Sequence, residues 1–348
     1  MSQRFSRTFR KRAYGIYALL ACVNLGGWIW AFLLFHDKPV LLGTAFLAYT
    51  FGLRHAVDAD HIAAIDNVTR KLMQEGKQPV SVGFFFSLGH STIVVVASLI
   101  VYSIAAAVEN QLDFLKEVGA TIGTSVSSLF LIAIALMNMV ILRGVWRTFQ
   151  EVRKGGSYDD QGSEMLLGGG VMSRLFRPLF RMLSSPWHMY PIGFLFGLGF
   201  DTATEIALLG ISAAAAAKGL SVGAMAVFPV LFTAGMTLVD TTDGVLMVGA
   251  YGWAFIKPIR KLYYNLTITF VSVIVALIVG GIEAVGLLKD RFNLTGGVWD
   301  FIGSLNDNFG TFGFVIIGVF VLSWFGSVIF YRVKGFDRLE STAPTMPE

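Results

Sequence analysis

The chain has 348 residues, 55% of them hydrophobic and 14% charged, with a mean hydropathy of +0.66 and a formal net charge of +4. A soluble domain carries about 25% charged residues, so this composition excludes a string of ordinary soluble domains and indicates a polytopic membrane protein. The one cysteine, Cys22, excludes an intrachain disulfide or zinc-finger framework.

In chain order, the basic segment MSQRFSRTFRKR precedes an apolar run that continues to Phe35. That run outlasts a signal-peptide core and reads as a retained first span. Apolar spans are expected at about 14–36, 40–69, 79–108, 118–142, 189–215, 222–253, 262–288 and 311–331. Nothing alternates like barrel strands, so the expected fold is an all-α integral membrane protein of eight transmembrane helices. A cytoplasmic tail at 1–13 precedes spans one to four, within 14–142. A cytoplasmic loop at 143–188 precedes spans five to eight, within 189–331, and a second tail covers 332–348. The loop has a Gly-rich polar middle and then VMSRLFRPLFRMLSS, which suggests an interfacial helix on anionic lipid.

With the N-terminus inside, 21 of the 27 Lys and Arg fall on the cytoplasmic side, five fall on the other side, and Arg54 lies within a span. The positive-inside rule then sets both termini in the cytoplasm, with the inner (plasma) membrane of a bacterium as the expected location.

Eight carboxylates lie inside these spans: Asp58, Asp60, Asp66, Asp201, Glu205, Asp240, Asp243 and Glu283. Each costs about 2.5–3.5 kcal/mol at a helix centre. Arg54 and Asp58, four apart, are expected to form a structural ion pair. No basic residue within the spans remains for the others, which points to a bound cation, a proton or a water-filled path. Depth sharpens this. Counted from the cytoplasmic end of each span, His61, His90, Asp201 with Glu205, and Asp240 with Asp243 all lie roughly 14–24 Å in. Met236, Asp240, Asp243 and Met247 form one stripe of the sixth span. The second span does not fit a straight helix. His55 and His61 would sit about 120° apart, and Asp60 about 100° from His61, so a bend or unwound turn is expected near 52–59.

Two stretches recur. FGLRHAVDADHIA (51–63) resembles FGLGFDTATEIAL (196–208), aligning Asp60 with Glu205. FFSLGHST (85–92) resembles LFTAGMTL (231–238), aligning Ser87 with Thr233, Gly89 with Gly235 and His90 with Met236. The two segments would run in opposite directions, which predicts an inverted repeat of spans 2–4 and 5–7 with a site near the midplane.

Imidazoles with several carboxylates suit a borderline divalent metal such as Ni²⁺, Co²⁺ or Zn²⁺, whereas Mg²⁺ or Ca²⁺ would want oxygen alone. His36 and His188 sit at span ends and read as interfacial. There is no H-E-x-x-H and no Walker-type phosphate loop, so neither a zincin-type protease nor an ATP site is expected in this chain. The motifs RHAVDADHIAAIDNVTRK, FFSLGHSTIVV, LGFDTATEIALL and GMTLVDTTDGVLM together resemble the bacterial nickel/cobalt transporter (NiCoT) family. YGWAFIKPIRKLYYNLTITFVSVIVALIVGG most resembles its nickel-selective, high-affinity permeases. The resemblance implies eight helices and secondary uptake of Ni²⁺, with Co²⁺ as the second substrate. The metal is cargo, with no cofactor, no nucleic acid and no ATPase subunit required. It carries the family's essential metal-site residues onto His55, Asp60, His61 and His90. Asp58, Asp66, Asp201, Glu205, Met236, Asp240 and Asp243 are then expected along the pathway or behind the ligands. An exporter of the same fold and an intramembrane metalloenzyme are the alternatives. Asp60→Asn should abolish accumulation of labelled nickel in cells while the protein still reaches the membrane; normal accumulation would refute the assignment of Asp60.

Overall fold

The computed structural model describes residues 7–104, 109–153, 183–199, 202–254 and 258–333. Secondary structure among these is helical throughout: α1 (Arg7–Phe35), α2 (Pro39–His55), α3 (Ala59–Gln74), α4 (Val82–Ile104), α5 (Glu109–Arg153), α6 (Met189–Phe196), α7 (Ala203–Ala217), α8 (Val222–Ala254), α9 (Pro258–Phe292), α10 (Gly297–Asp307) and α11 (Phe309–Val333). Six helices, α1, α4, α5, α8, α9 and α11, are long and apolar enough to cross a membrane. A seventh crossing results if α2 and α3, bent by 52° at their junction, count as one span.

The structure differs from the expected spans in two places. Where one fifth span is predicted, α6 and α7 are separate short helices of 8 and 15 residues. A Thr202 N-cap opens α7, its hydroxyl accepting from the Glu205 backbone N–H, and a helix start inside an apolar run divides it. Between the last two long helices lies an extra short helix, α10, with Val298 and Phe301 exposed. Of the 143–188 loop, α5 extends to Arg153, and the expected interfacial helix lies outside the described residues.

The break between α2 and α3 organises the molecule. Pro39 starts α2 at a position where its missing N–H costs nothing. The helix runs to His55, and then Val57 N–H donates to Arg54 O and Asp58 N–H to His55 O, tightening the last turn. Asp58 is extended (φ −66°, ψ 148°) and starts α3. The loosened backbone is sealed by α11, because Gly313 has no side chain to overlap the Val57 carbonyl.

α3 is the central element, buried almost without interruption from Ala59 to Met73. Ile62, Ile65, Val68 and Leu72 join an apolar cluster with Phe86, Phe130, Leu131 and Ile134. A second cluster gathers Ala45, Ala48, Phe228, Phe232 and Met236. The C-terminal end of α3 is buried too, which corrects the expectation that the intramembrane carboxylates lack basic partners. Arg70 pairs with Asp66 and reaches Ser272 on α9. The predicted span ended at residue 69, one residue short of the cation. Beyond it, Lys71 Nζ donates to Leu183 O and Lys77 Nζ to Ser184 O, each at 2.6 Å. These bonds tie the first half of the chain to the second.

The helices that surround the break touch backbone to backbone. A Cβ at Gly52 would overlap the Phe232 carbonyl, and one at Gly83 would overlap the Asp240 carbonyl. Small residues at such crossings are the usual means of close helix approach in lipid. Gly83→Leu should therefore destabilise the detergent-solubilised protein by at least about 1–3 kcal/mol. Gly26→Ala, at a position with open space around it, should leave the thermal unfolding curve unchanged.

Candidate metal centre

The site lies at the seam of the two apolar clusters, where the His55 ring faces Phe232 at 5.6 Å and the His61 ring faces Phe86 at 4.8 Å. The 52° bend resolves the difficulty of the straight helix. His55 ends α2, His61 lies in the first turn of α3, and their ring centroids are 4.7 Å apart. His90 on α4 completes a nearly equilateral triangle, at 4.8 Å from His55 and 4.9 Å from His61. All three are buried, at 2%, 0% and 3% exposure. Each offers a nitrogen within 4.8 Å of the other two.

Two carboxylates orient two of the rings. Asp58 Oδ2 accepts from His55 Nδ1 at 3.0 Å, with the hydroxyls of Thr202 and Thr204 each 3.3 Å from the same nitrogen. Asp240 Oδ2 accepts from His61 Nδ1 at 3.2 Å. A carboxylate on one imidazole nitrogen fixes the tautomer and leaves the other nitrogen as the donor to a metal. Among the described residues, His61 Nε2 is buried without a hydrogen-bond partner, as is His90 Nδ1. Buried polar atoms are rarely left so unless something else occupies them.

Glu205 supplies an oxygen at the same place. Its Oε1 lies 2.9 Å from His90 Nε2 and 3.8 Å from His55 Nε2, and those two nitrogens are themselves 2.9 Å apart. A point equidistant from the three atoms lies about 1.9 Å from each. Metal–imidazole and metal–carboxylate bonds are about 2.0–2.2 Å long, so one ion fits just off their plane. Thr202 holds Glu205 in place, donating from Oγ1 to Oε2 at 3.0 Å. The sequence signal for this was Thr202-x-x-Glu205, a capping-box pattern.

Of the other predicted site residues, Asp60 is half-buried in the first turn of α3 and is not among the side chains whose donors converge. Asp66 is engaged with Arg70. Met236 joins the apolar cluster that includes Ala56 and Phe232. Asp243, with Oδ2 buried and unpartnered, lines a separate crevice of about 650 Å³ beside Ile62, Met247 and Phe320. Asp201 lies outside the described residues. The expected Arg54–Asp58 ion pair does not form. Helical i,i+4 geometry ends at His55, Asp58 turns to that histidine instead, and Arg54 is exposed. Both side chains flank Gly310 of α11. His36 is exposed just beyond α1, and His188 stacks edge-on against Trp187 at 4.1 Å.

A bundle of long apolar helices around three buried imidazoles and several carboxylates is the architecture of a multi-pass membrane protein, with donor groups of the kind that suit a divalent transition metal. Residues 41–330 match the family of high-affinity nickel-transport proteins, NicO, and the chain belongs to that family. It is 57% identical to a high-affinity nickel transport protein of Cupriavidus necator over 98% of both chains. It is 43% identical to a high-affinity nickel-transport protein of Helicobacter pylori, over 92% of this chain and 98% of that one. A cobalt transport protein of Rhodococcus rhodochrous is 37% identical over 95% of each. No solved structure matches at a significant level. The chain is thus a membrane nickel transporter, and the enzyme alternative falls.

If Glu205 supports the ion, Glu205→Gln, which keeps the shape and removes the charge, should lower the nickel affinity of the purified protein at least about tenfold. Titration calorimetry in detergent measures this.

Proposed function

We propose that this chain is a secondary permease that takes up Ni²⁺, with Co²⁺ as second substrate, through the triangle of His55, His61 and His90. The observation that carries this reading is the meeting of His55 Nε2, His90 Nε2 and Glu205 Oε1 around one ion-sized point, with a donor nitrogen of His61 within 4.8 Å of those of the other two histidines. Two nitrogens 2.9 Å apart match cis ligands about 90° apart on bonds of about 2.0–2.1 Å. Right-angled nitrogen and oxygen coordination suits nickel(II) better than tetrahedral zinc. The export reading finds no support in the names of the relatives.

In this proposal α6 and α7 together make the eighth crossing. Both termini lie in the cytoplasm, and the protein sits in the inner membrane of a bacterium. Spans 2–4 and 5–7 form an inverted repeat around a midplane site. The crossings of the helices support the repeat. Gly52 of α2 touches the Phe232 carbonyl of α8, and Gly193 of α6 touches the Phe86 carbonyl of α4. Phe232 and Phe86 occupy matching positions of the recurring motif. So do Gly235, which lies against Tyr49 O, and Gly89, which lies against Tyr190 O.

Uptake proceeds in this reading by dehydration of the ion at the outer face, capture by neutral imidazoles, and rocking of the two repeats. The membrane potential supplies about 2.3 kcal/mol per charge per 100 mV, hence about 4.6 kcal/mol for a divalent ion. That equals a concentration ratio of a few thousand, so no ATPase subunit is needed. Cells making the protein should accumulate labelled nickel and be inhibited by excess Co²⁺ more than by Mn²⁺. An uncoupler should collapse the accumulation. Loss of metal from such cells, or uptake untouched by His55→Ala and His90→Ala, would overturn the proposal.

A further inference from the structure

Ser87 belongs to neither the histidine triangle nor the carboxylates around it. Its Oγ donates to Asp240 Oδ2 at 2.7 Å, and both residues are 0% exposed. Asp240 sits in the middle of α8, where the backbone N–H groups are spent on the helix itself. Asp58 and Glu205, by contrast, lie at helix starts. Among the described residues, the donors that reach the Asp240 carboxylate are Ser87 Oγ from α4 and His61 Nδ1 from α3. The carboxylate therefore joins three helices, and its orientation depends on two hydrogen bonds.

Ser87 reaches Asp240 because of its neighbour one turn earlier. Gly83 lies directly on the Asp240 carbonyl, so the backbones of α4 and α8 touch at this level. A short hydroxyl side chain at 87 then spans the remaining gap. An ionised carboxylate only accepts hydrogen bonds. Held toward His61, it draws the ring proton to Nδ1 and leaves the lone pair on Nε2, the atom that is buried and without a partner.

We propose that Ser87 is a positioning residue for metal binding: it holds Asp240 in the orientation that selects the Nδ1–H form of His61 and presents Nε2 to the ion. The inference rests on the reading of His61 as a ligand. A serine that merely pins α4 to α8 would predict a different pattern of variants, and the difference is measurable.

The experiment is equilibrium binding of labelled Ni²⁺ to the purified full chain in detergent, with melting temperature recorded for every variant. Ser87→Ala weakens binding about 10–100-fold, as loss of a partner behind a ligand does, while Ser87→Thr stays within about threefold of the parent. In a His61→Ala background the same Ser87→Ala change alters the affinity less than about twofold, because the ring it serves is gone. Ser87→Val against Ser87→Thr, equal in shape and differing in the hydroxyl, repeats the comparison if the alanine variant is not recovered from membranes. Parent-like affinity of Ser87→Ala, or an equal loss in both backgrounds, overturns the positioning role while the metal site stands. An unaltered affinity of His61→Ala overturns the ligand reading itself, and this inference with it.

Discussion

Contact between bare backbones is the constraint on which the site depends. α8 lies directly on α2 at Gly52 and on α4 at Gly83. A side chain at either glycine would wedge the helices apart. At that closeness the short Ser87 side chain of α4 meets Asp240 of α8 at 2.7 Å, and His55 and His90, carried by the two helices that lie on α8, meet at 2.9 Å. In lipid, helices gain little by burying apolar surface against each other, because acyl tails are as apolar as leucine. Small-residue seams and interhelical hydrogen bonds carry the association instead, and here the same seams shape the candidate site.

The cluster has its hydrogen bonds already arranged. Asp58, Glu205 and Asp240 each touch an imidazole, and Arg54, the nearest cation along the chain, is exposed. Buried carboxylates are costly unless paired. The hydroxyls of Ser87 and Thr202 lower that cost without adding positive charge. In the proposed role a dication between the rings would complete the neutralisation, which a fixed lysine or arginine would have pre-empted. Asp66 shows the contrast: it is satisfied internally by Arg70.

Much of this was legible in the sequence, because intramembrane polar groups are few and their depth can be counted. His55, His61 and His90 stand out for that reason, and the 120° conflict between the first two already demanded a break. Its position, residues 56–58, falls in the expected window even though no glycine or proline marks it. Other features depend on tertiary context. The burial of Arg70 came from the packing of α9 and the following helices against the end of α3, which no local pattern announces. Asp58 was assigned to Arg54 by helical spacing that the break abolishes. Asp60, prominent in the motif, lies beside the converging donors rather than among them. Ser87 stood in the sequence only as a position of the recurring motif, and the approach at Gly83 gives it a partner.

The pairing of the helices has a consequence for how the molecule comes into being. All three imidazoles belong to the first hundred residues, whereas Glu205 follows His90 by 115 positions and Asp240 follows His61 by 179. When only the first four helices have been made, His55 has Asp58, but the carboxylates that face His61 and His90 are still to come. The polar cluster is therefore complete only once α7 and α8 pack against α2 and α4, so its assembly depends on the second half of the chain.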